Sequence, residues 1–191
     1  MASILKVDKI RGTGLDSDSL SIDGSGNIST IKTFSAPGHV IQTLQSQKTD
    51  TFTTSSVVNS GGYVDITGLS INITPASSSS KFLVMAKVSG MIWNHGHTFF
   101  RLLRDSTTIG VATGTGNRIA TFSSTGTGDS WATADHVTSC LDSPNTASQI
   151  TYKVQGACEY GALYVNRSSR DTDAWYDART TSEITVMEIA Q

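Results

Sequence analysis

The chain of 191 residues has two cysteines, three prolines and a charged fraction of only 16%. Each scarcity excludes something. Cys140 and Cys158 have neither a CxxC spacing nor a histidine cluster beside them, which is too little for a disulfide scaffold or a structural zinc site. If both lie on strands flanking the LDSPNTAS turn, the register does not set them opposite each other, so buried free thiols are expected. Lys and Arg number 14 against 16 Asp and Glu, and a net charge of −2 with pI near 6.0 gives no footprint for nucleic acid. No apolar run approaches the roughly 18 to 20 residues that cross a bilayer. The opening MASILKVDKIRG alternates apolar residues with Lys and Asp and lacks the stretch of a signal peptide, so no membrane insertion and assembly in a cytoplasm are expected. The chain also has no GxSxG, HExxH or P-loop. Asp135-His136 could join a serine in a triad, but any serine-rich chain permits that. No enzymatic activity is expected.

What the chain does have is hydroxyl groups: 27 Ser and 26 Thr, with 17 Gly. Thr suits strands, and Ser and Gly suit turns, so an all-β, loop-rich protein follows. From Val40 the strand pattern is dense. Val40–Leu44 and Thr51–Val57 are read as strands. Tyr63–Thr74 alternates with a phase shift at Gly68, the mark of a β-bulge. Lys81–Trp93 is the longest apolar stretch and is read as a central strand covered on both faces. Thr98–Arg104, Thr107–Val111 and Arg118–Phe122 follow, then a glycine-rich stretch from Ser123 to Ser130 read as a flexible loop. Ala132–Leu141, Gln149–Tyr160, Leu163–Asn166 and Ser182–Ile189 complete an antiparallel β-sandwich, jelly-roll-like in its strand spacing.

Residues 1–44 differ. Short strand-like pieces, Ile4–Ile10, Leu20–Ile22 and Asn27–Ile31, alternate with polar turns such as DGSGN, and SAPG makes a joint. Nine apolar side chains cannot order such a segment alone, so self-association is expected to order it. The division expected is an extended stalk over 1–44 and a sandwich head over 45–191.

Five segments then carry a resemblance. KTDTFTTSS with YVDITGLSINITPASSSSKFLVMAKVSG, then FFRLLRDSTTIGVATGTGNR, LDSPNTASQITYKVQ, YVNRSSRDTD and TSEITVMEIAQ resemble, in this order, the C-terminal head module of tail-fibre proteins from phages of marine bacteria and cyanobacteria. MASILKVDKIRGTG resembles the start of such proteins. The resemblance implies a homotrimeric virion protein with an N-terminal stalk that docks on other phage tail or baseplate proteins. It also implies a receptor-binding head that attaches to a host-surface glycan, working by avidity. A purely structural baseplate or head component is the alternative, and a glycan-cleaving tailspike a further one, for which Asp171, Asp173 and Glu159 are the available carboxylates.

Within that frame the candidate residues sort by chemistry. Trp131, Trp175 and Tyr176, with Asp173 and Arg170, have the aromatic faces and bidentate groups that hold sugars. Arg101, Arg104 and Asp105 alternate with apolar residues and are placed at the trimer interface, as are Ile4, Val7 and Ile10 of the stalk. His95 and His97, two apart, put both imidazoles on one face if the segment is a strand; on a threefold axis they would offer six nitrogens to a transition metal, whereas Asn94 and Gly96 favour an exposed loop. No other cofactor is expected. Asp16, Asp18 and Asp23 miss the calcium-loop spacing, which leaves a solvated turn. Asn166-Arg167-Ser168 matches a glycosylation acceptor that a cytoplasmic phage protein has no use for.

Overall fold

A computed structural model describes residues 9–10, 20–30, 36–60, 62–92, 96–126, 131 and 133–191; Ile4, Val7 and His95 lie outside them, and the side chain of Ile10 is not described. Three short strands, β1 (Lys9–Ile10), β2 (Leu20–Ile22) and β3 (Ile28–Thr30), form a small antiparallel sheet of their own. Its β2–β3 turn closes on Asp23, whose carboxylate accepts hydrogen bonds from the backbone of Ser25 and Asn27 and from the Asn27 side chain at 2.8–2.9 Å. Gly26, at φ 83°, supplies the left-handed residue that this turn requires.

The remaining strands are β4 (Val40–Lys48), β5 (Phe52–Thr54), β6 (Val64–Ile73), β7 (Lys81–Ile92), β8 (His97–Arg104), β9 (Thr107–Ile109), β10 (Ser123–Gly126), β11 (Ala134–Asp142), β12 (Ile150–Cys158), β13 (Leu163–Val165) and β14 (Ser182–Ile189). They form two antiparallel sheets. One has the order β10-β8-β12-β6, with β9 continuing the line of β10 along β8; the other has the order β4-β14-β7-β13-β5, with β11 on the far side of β7. Among the described residues the one helical element is a single 3-10 turn, Val58–Ser60, and no helix is long and apolar enough to cross a membrane. The expected sandwich is therefore what these residues make.

The core lies between the sheets. Strand side chains alternate faces, and the inward set is apolar: Ile66, Leu69, Ile71 and Ile73 on β6, Phe82, Val84, Ala86 and Val88 on β7, Phe100 and Leu102 on β8, Tyr152 and Val154 on β12, Ile184 and Val186 on β14. The phase shift at Gly68 is a bulge, as expected. Lys153 pairs with Ser70 and Gln155 with Asp65, so Ile66–Leu69 stand opposite Val154 alone, and Gly68 sits at φ 89°. Two strand glycines have another role. A Cβ at Gly90 would meet the Phe100 ring at 2.8 Å, and one at Gly156 would meet Leu163 at 2.7 Å and Phe100 at 3.4 Å. Both glycines make room for that ring.

Four expectations are corrected. Ser123–Gly126, read as loop, is strand β10 paired to β8, because Thr121, Phe122 and Thr98 tie the chain to that edge: Phe100 N donates to Thr121 Oγ1, Phe122 N to Phe100 O and Thr98 Oγ1 to Thr125 O. Arg118–Phe122, read as strand, forms none. β7 is central, but over Lys81–Lys87 only its inward face is buried; Leu83, Met85 and Lys87 on the other face are half-exposed, while Ser89 and Met91 farther along that face are buried. The boundary at 44/45 cuts through β4, which pairs with β14 from Val40 to Lys48, and His39 O accepts from Ala190 N. The head therefore begins before Val40. Cys140 and Cys158 are free, the former half-buried and the latter buried; they lie on strands of different sheets, so the LDSPNTAS segment crosses the sandwich rather than closing a hairpin.

Candidate functional site

Between β13 and β14 the chain leaves the sandwich as a loop, residues 166–181, with no regular structure of its own. Its root is Asn166, fully buried and at φ 62°. The Asn166 Nδ2 donates to the carbonyls of Lys48 and Asp50, both at 2.9 Å, while its Oδ1 accepts from Ser182 Oγ at 2.6 Å. Ser182 Oγ in turn accepts from Ser89 N at 3.0 Å. Every polar atom of that amide is therefore engaged inside the fold, which removes Asn166 from any role as a glycosylation acceptor.

The loop is built around one carboxylate. Asp177, with its side chain 1% exposed, accepts from Ser168 Oγ at 2.8 Å, from Arg170 Nε and Nη2 at 2.8 and 2.9 Å, and from Thr172 N at 3.0 Å, and also from the Thr172 hydroxyl. The Arg170 fork, helped by the hydroxyls and the backbone amide and opposed by burial, holds this carboxyl well below the usual carboxylate range. Asp171, at φ 50°, takes the other two arginines: Arg167 at 3.1 Å and Arg179 at 2.6 Å.

On this frame sit the aromatics. The Arg170 Cζ lies 4.1 Å from the centroid of the Trp131 ring and 4.4 Å from that of Tyr176. Trp175 meets Tyr176 edge-on, with centroids 5.5 Å apart and planes at 71°. These rings face water: Trp175 is 93% exposed, Trp131 57% and Tyr176 53%. Four of the five residues read as sugar-binding, Trp131, Arg170, Trp175 and Tyr176, thus meet in one place, although Trp131 comes from the segment before β11. Asp173, the fifth, is exposed on the same loop and makes no hydrogen bond or ion pair among the described residues. Sequence reasoning missed Asp177, Ser168 and Thr172, which hold the frame. A carboxylate within ten residues of an arginine, a serine and a threonine is too common a pattern to have marked them.

The other candidate residues lie apart from this loop. On β8, Arg104 points into the end of the core, where its Nη1 meets both oxygens of Asp142 at 2.7 and 2.8 Å; the pairing expected between chains is made within one. Arg101, on the opposite face, donates to Gln155 at 2.8 Å and lies 4.0 Å from the centroid of the Tyr63 ring. Asp105, at φ 51°, ties the β8–β9 turn to β12 by accepting from Thr151 N at 2.9 Å. The Nδ1 of His97 is 2.7 Å from Glu159 at the rim of a shallow polar depression that also includes Asn59 and Asn117. Among the described residues no group of three or more His, Cys, Asp or Glu could hold a metal. The imagined triad does not assemble either: Ser123 Oγ is 2.8 Å from His136 Nδ1, but Asp135 faces outward toward Lys87 at 3.9 Å, as its neighbouring position on a strand dictates.

No family model matches the chain, and no curated protein matches it. Among solved structures it is similar to the VP2 protein of infectious bursal disease virus. Against a VP2 mutant in derived T=1 particles the identity is 13% and the TM-score 0.42, covering 96% of this chain and 45% of that one. Against the VP2 subviral particle the identity is 13% and the TM-score 0.39, covering 96% and 43%. The chain thus spans less than half the length of these proteins. With TM-scores below 0.5, the likeness bears on neither family nor function.

Proposed function

We propose that the chain is a non-enzymatic bacteriophage virion protein, a homotrimeric tail-fibre adhesin whose head attaches to a host-surface glycan. The observation that carries this reading is the aromatic platform: three rings exposed to water, Trp175 and Tyr176 on a loop knitted by Arg170 and Asp177, and Trp131 lying against that Arg170. Exposed aromatics cost solubility and are kept where they contact something. Individual sugar contacts are weak, and three copies per trimer raise avidity without new contacts. The stalk residues Ile4, Val7 and Ile10 are assigned to the trimer axis and the N-terminus to docking on the particle. The virion is assembled in the host cytoplasm.

Two measurements test this. Light scattering on the full chain should give a mass near three times 20.3 kDa; a folded monomer would sink the trimeric fibre. Pull-down on host cells or their lipopolysaccharide should retain the protein without releasing oligosaccharide, whereas release would make it a tailspike.

One observation favours the purely structural alternative. The outer face of the larger sheet exposes Val137 by 67% and Leu141 by 58% beside a depression of about 480 Å³ lined by Met85, Lys87, Glu183 and Thr185. A face of this kind suits packing against another virion subunit, and a protein that binds no cell but coats isolated particles would follow that reading.

A further inference from the structure

We infer that the platform takes an uncharged pyranose, stacked on Trp175 with Asp173 accepting from its hydroxyls, and that it turns anionic sugars away. This inference rests on the glycan-binding reading and narrows it. An arginine flanked by exposed aromatics is the usual receptor for a carboxylate, sulfate or phosphate, so the first expectation for this surface is an acidic glycan. The hydrogen bonds argue otherwise. The Arg170 Nε and Nη2 are both committed to Asp177, and two rings lie within about 4.5 Å of its Cζ. Arg167 and Arg179 are committed to Asp171, and Arg167 also donates to the carbonyls of Ser168 and Ser169.

The loop carries three arginines and three aspartates. After these pairings the one charged group on it without a partner among the described residues is Asp173, and its charge is negative. An incoming uronate or sulfate therefore meets an unpaired carboxylate, while each arginine of the loop already holds a carboxylate partner. A neutral sugar meets the same carboxylate as a strong acceptor for hydroxyl donors, two residues from Trp175, the most exposed ring among the described residues. The edge-on geometry of Trp175 and Tyr176 leaves the Trp175 ring open as a stacking face. Arg170 on this account is a positioning residue: it fixes the rings and does not touch ligand.

The test uses the full chain on a mixed array of neutral and anionic bacterial surface glycans, with dextran against dextran sulfate as a matched pair read by biolayer interferometry. The wild type should bind neutral members and reject the sulfated form. Trp175→Ala, at a site exposed enough to leave the fold intact, should weaken neutral binding about tenfold. Asp173→Asn should weaken it several-fold and narrow the preference for neutral over anionic ligands. Preference for anionic members, or neutral binding indifferent to Trp175→Ala, overturns this inference while leaving a glycan adhesin standing. Binding to no member of either class overturns both.

Discussion

Two carboxylates in this molecule have nearly the same chemistry and opposite consequences. Asp142, at the end of β11, accepts from Arg104 and from the buried Tyr152 hydroxyl at 2.7 Å, partners on strands of the other sheet. Asp177 accepts from Ser168, Arg170 and Thr172, all within nine residues of it in the same loop. The first welds the sheets together at one end of the core. The second folds a loop onto itself and raises aromatics into solvent. A buried charge whose partners come from distant strands belongs to the cooperative unit; one whose partners are local can open without it.

The largest effect expected from breaking this contrast is at Asp142. Asp142→Ala strands Arg104 and leaves the Tyr152 phenol without its acceptor in the core, a loss of about 3 to 5 kcal/mol. For a chain of this size that lowers Tm by roughly 10 °C, measured by circular dichroism. Tyr152→Phe keeps the Arg104 pair and should cost only about 1 kcal/mol. If Asp142→Ala merely loosened the end of β11 while Tm held, the distinction between the two hubs would fail.

His136 provides a second, pH-dependent handle on the core. Its ring lies 4.5 Å from Phe100 and its nitrogens face Ser123 and Thr98; burial, opposed weakly by Asp135, pushes its pKa down to about 4. The unfolded chain takes up the proton near pH 6.5 and the folded one near 4, so stability is full above this window and falls as pH drops through it. The shift corresponds to about 3 kcal/mol. His136→Gln should flatten that slope in denaturant titrations from pH 7 to 4. A wild-type curve already flat there would mean that the site admits the charge.

How much of this was legible in the sequence follows the same division. The sandwich could be read because period-two alternation is imposed by burial on one face, as in Ile66 to Ile73 with its shift at Gly68. The edge strand Ser123–Gly126 could not: with no large apolar residue, its pairing rests on hydroxyl and backbone bonds that leave no periodicity. Gly90 and Gly156 read as ordinary strand residues, since the Phe100 ring that needs their missing side chains comes from another strand. Trp131, Arg170, Trp175 and Tyr176 were legible by residue type, but the reason Arg170 is unavailable lies in Asp177, and nothing in the spacing announces that pairing.

A smaller effect is expected in the loop. Because the Asp177 carboxyl is held below its ordinary value, its contribution is present above about pH 4 and is lost as pH falls below that. In hydrogen exchange, the amides of Asp171 and Thr172, which bond to Ser168 and Asp177, should lose protection in acid while β7 and β12 keep theirs. Asp177→Asn should give the same local pattern at neutral pH.

The smallest change expected is the most specific. Arg170→Lys keeps the positive charge beside Asp177 but gives up the fork and the planar face that Trp131 and Tyr176 lie against. A point charge on a flexible stem can neutralise the carboxylate without fixing either ring. Tm should stay where it is, while the near-ultraviolet signal of the tryptophans weakens and Trp131 becomes more accessible to a neutral quencher. Repeating the measurement on Trp131→Phe assigns the change to that ring. If Arg170→Lys instead lowered Tm as far as Asp142→Ala does, the loop would belong to the same cooperative unit as the core, and its aromatics would be structural parts rather than a surface held out for a ligand.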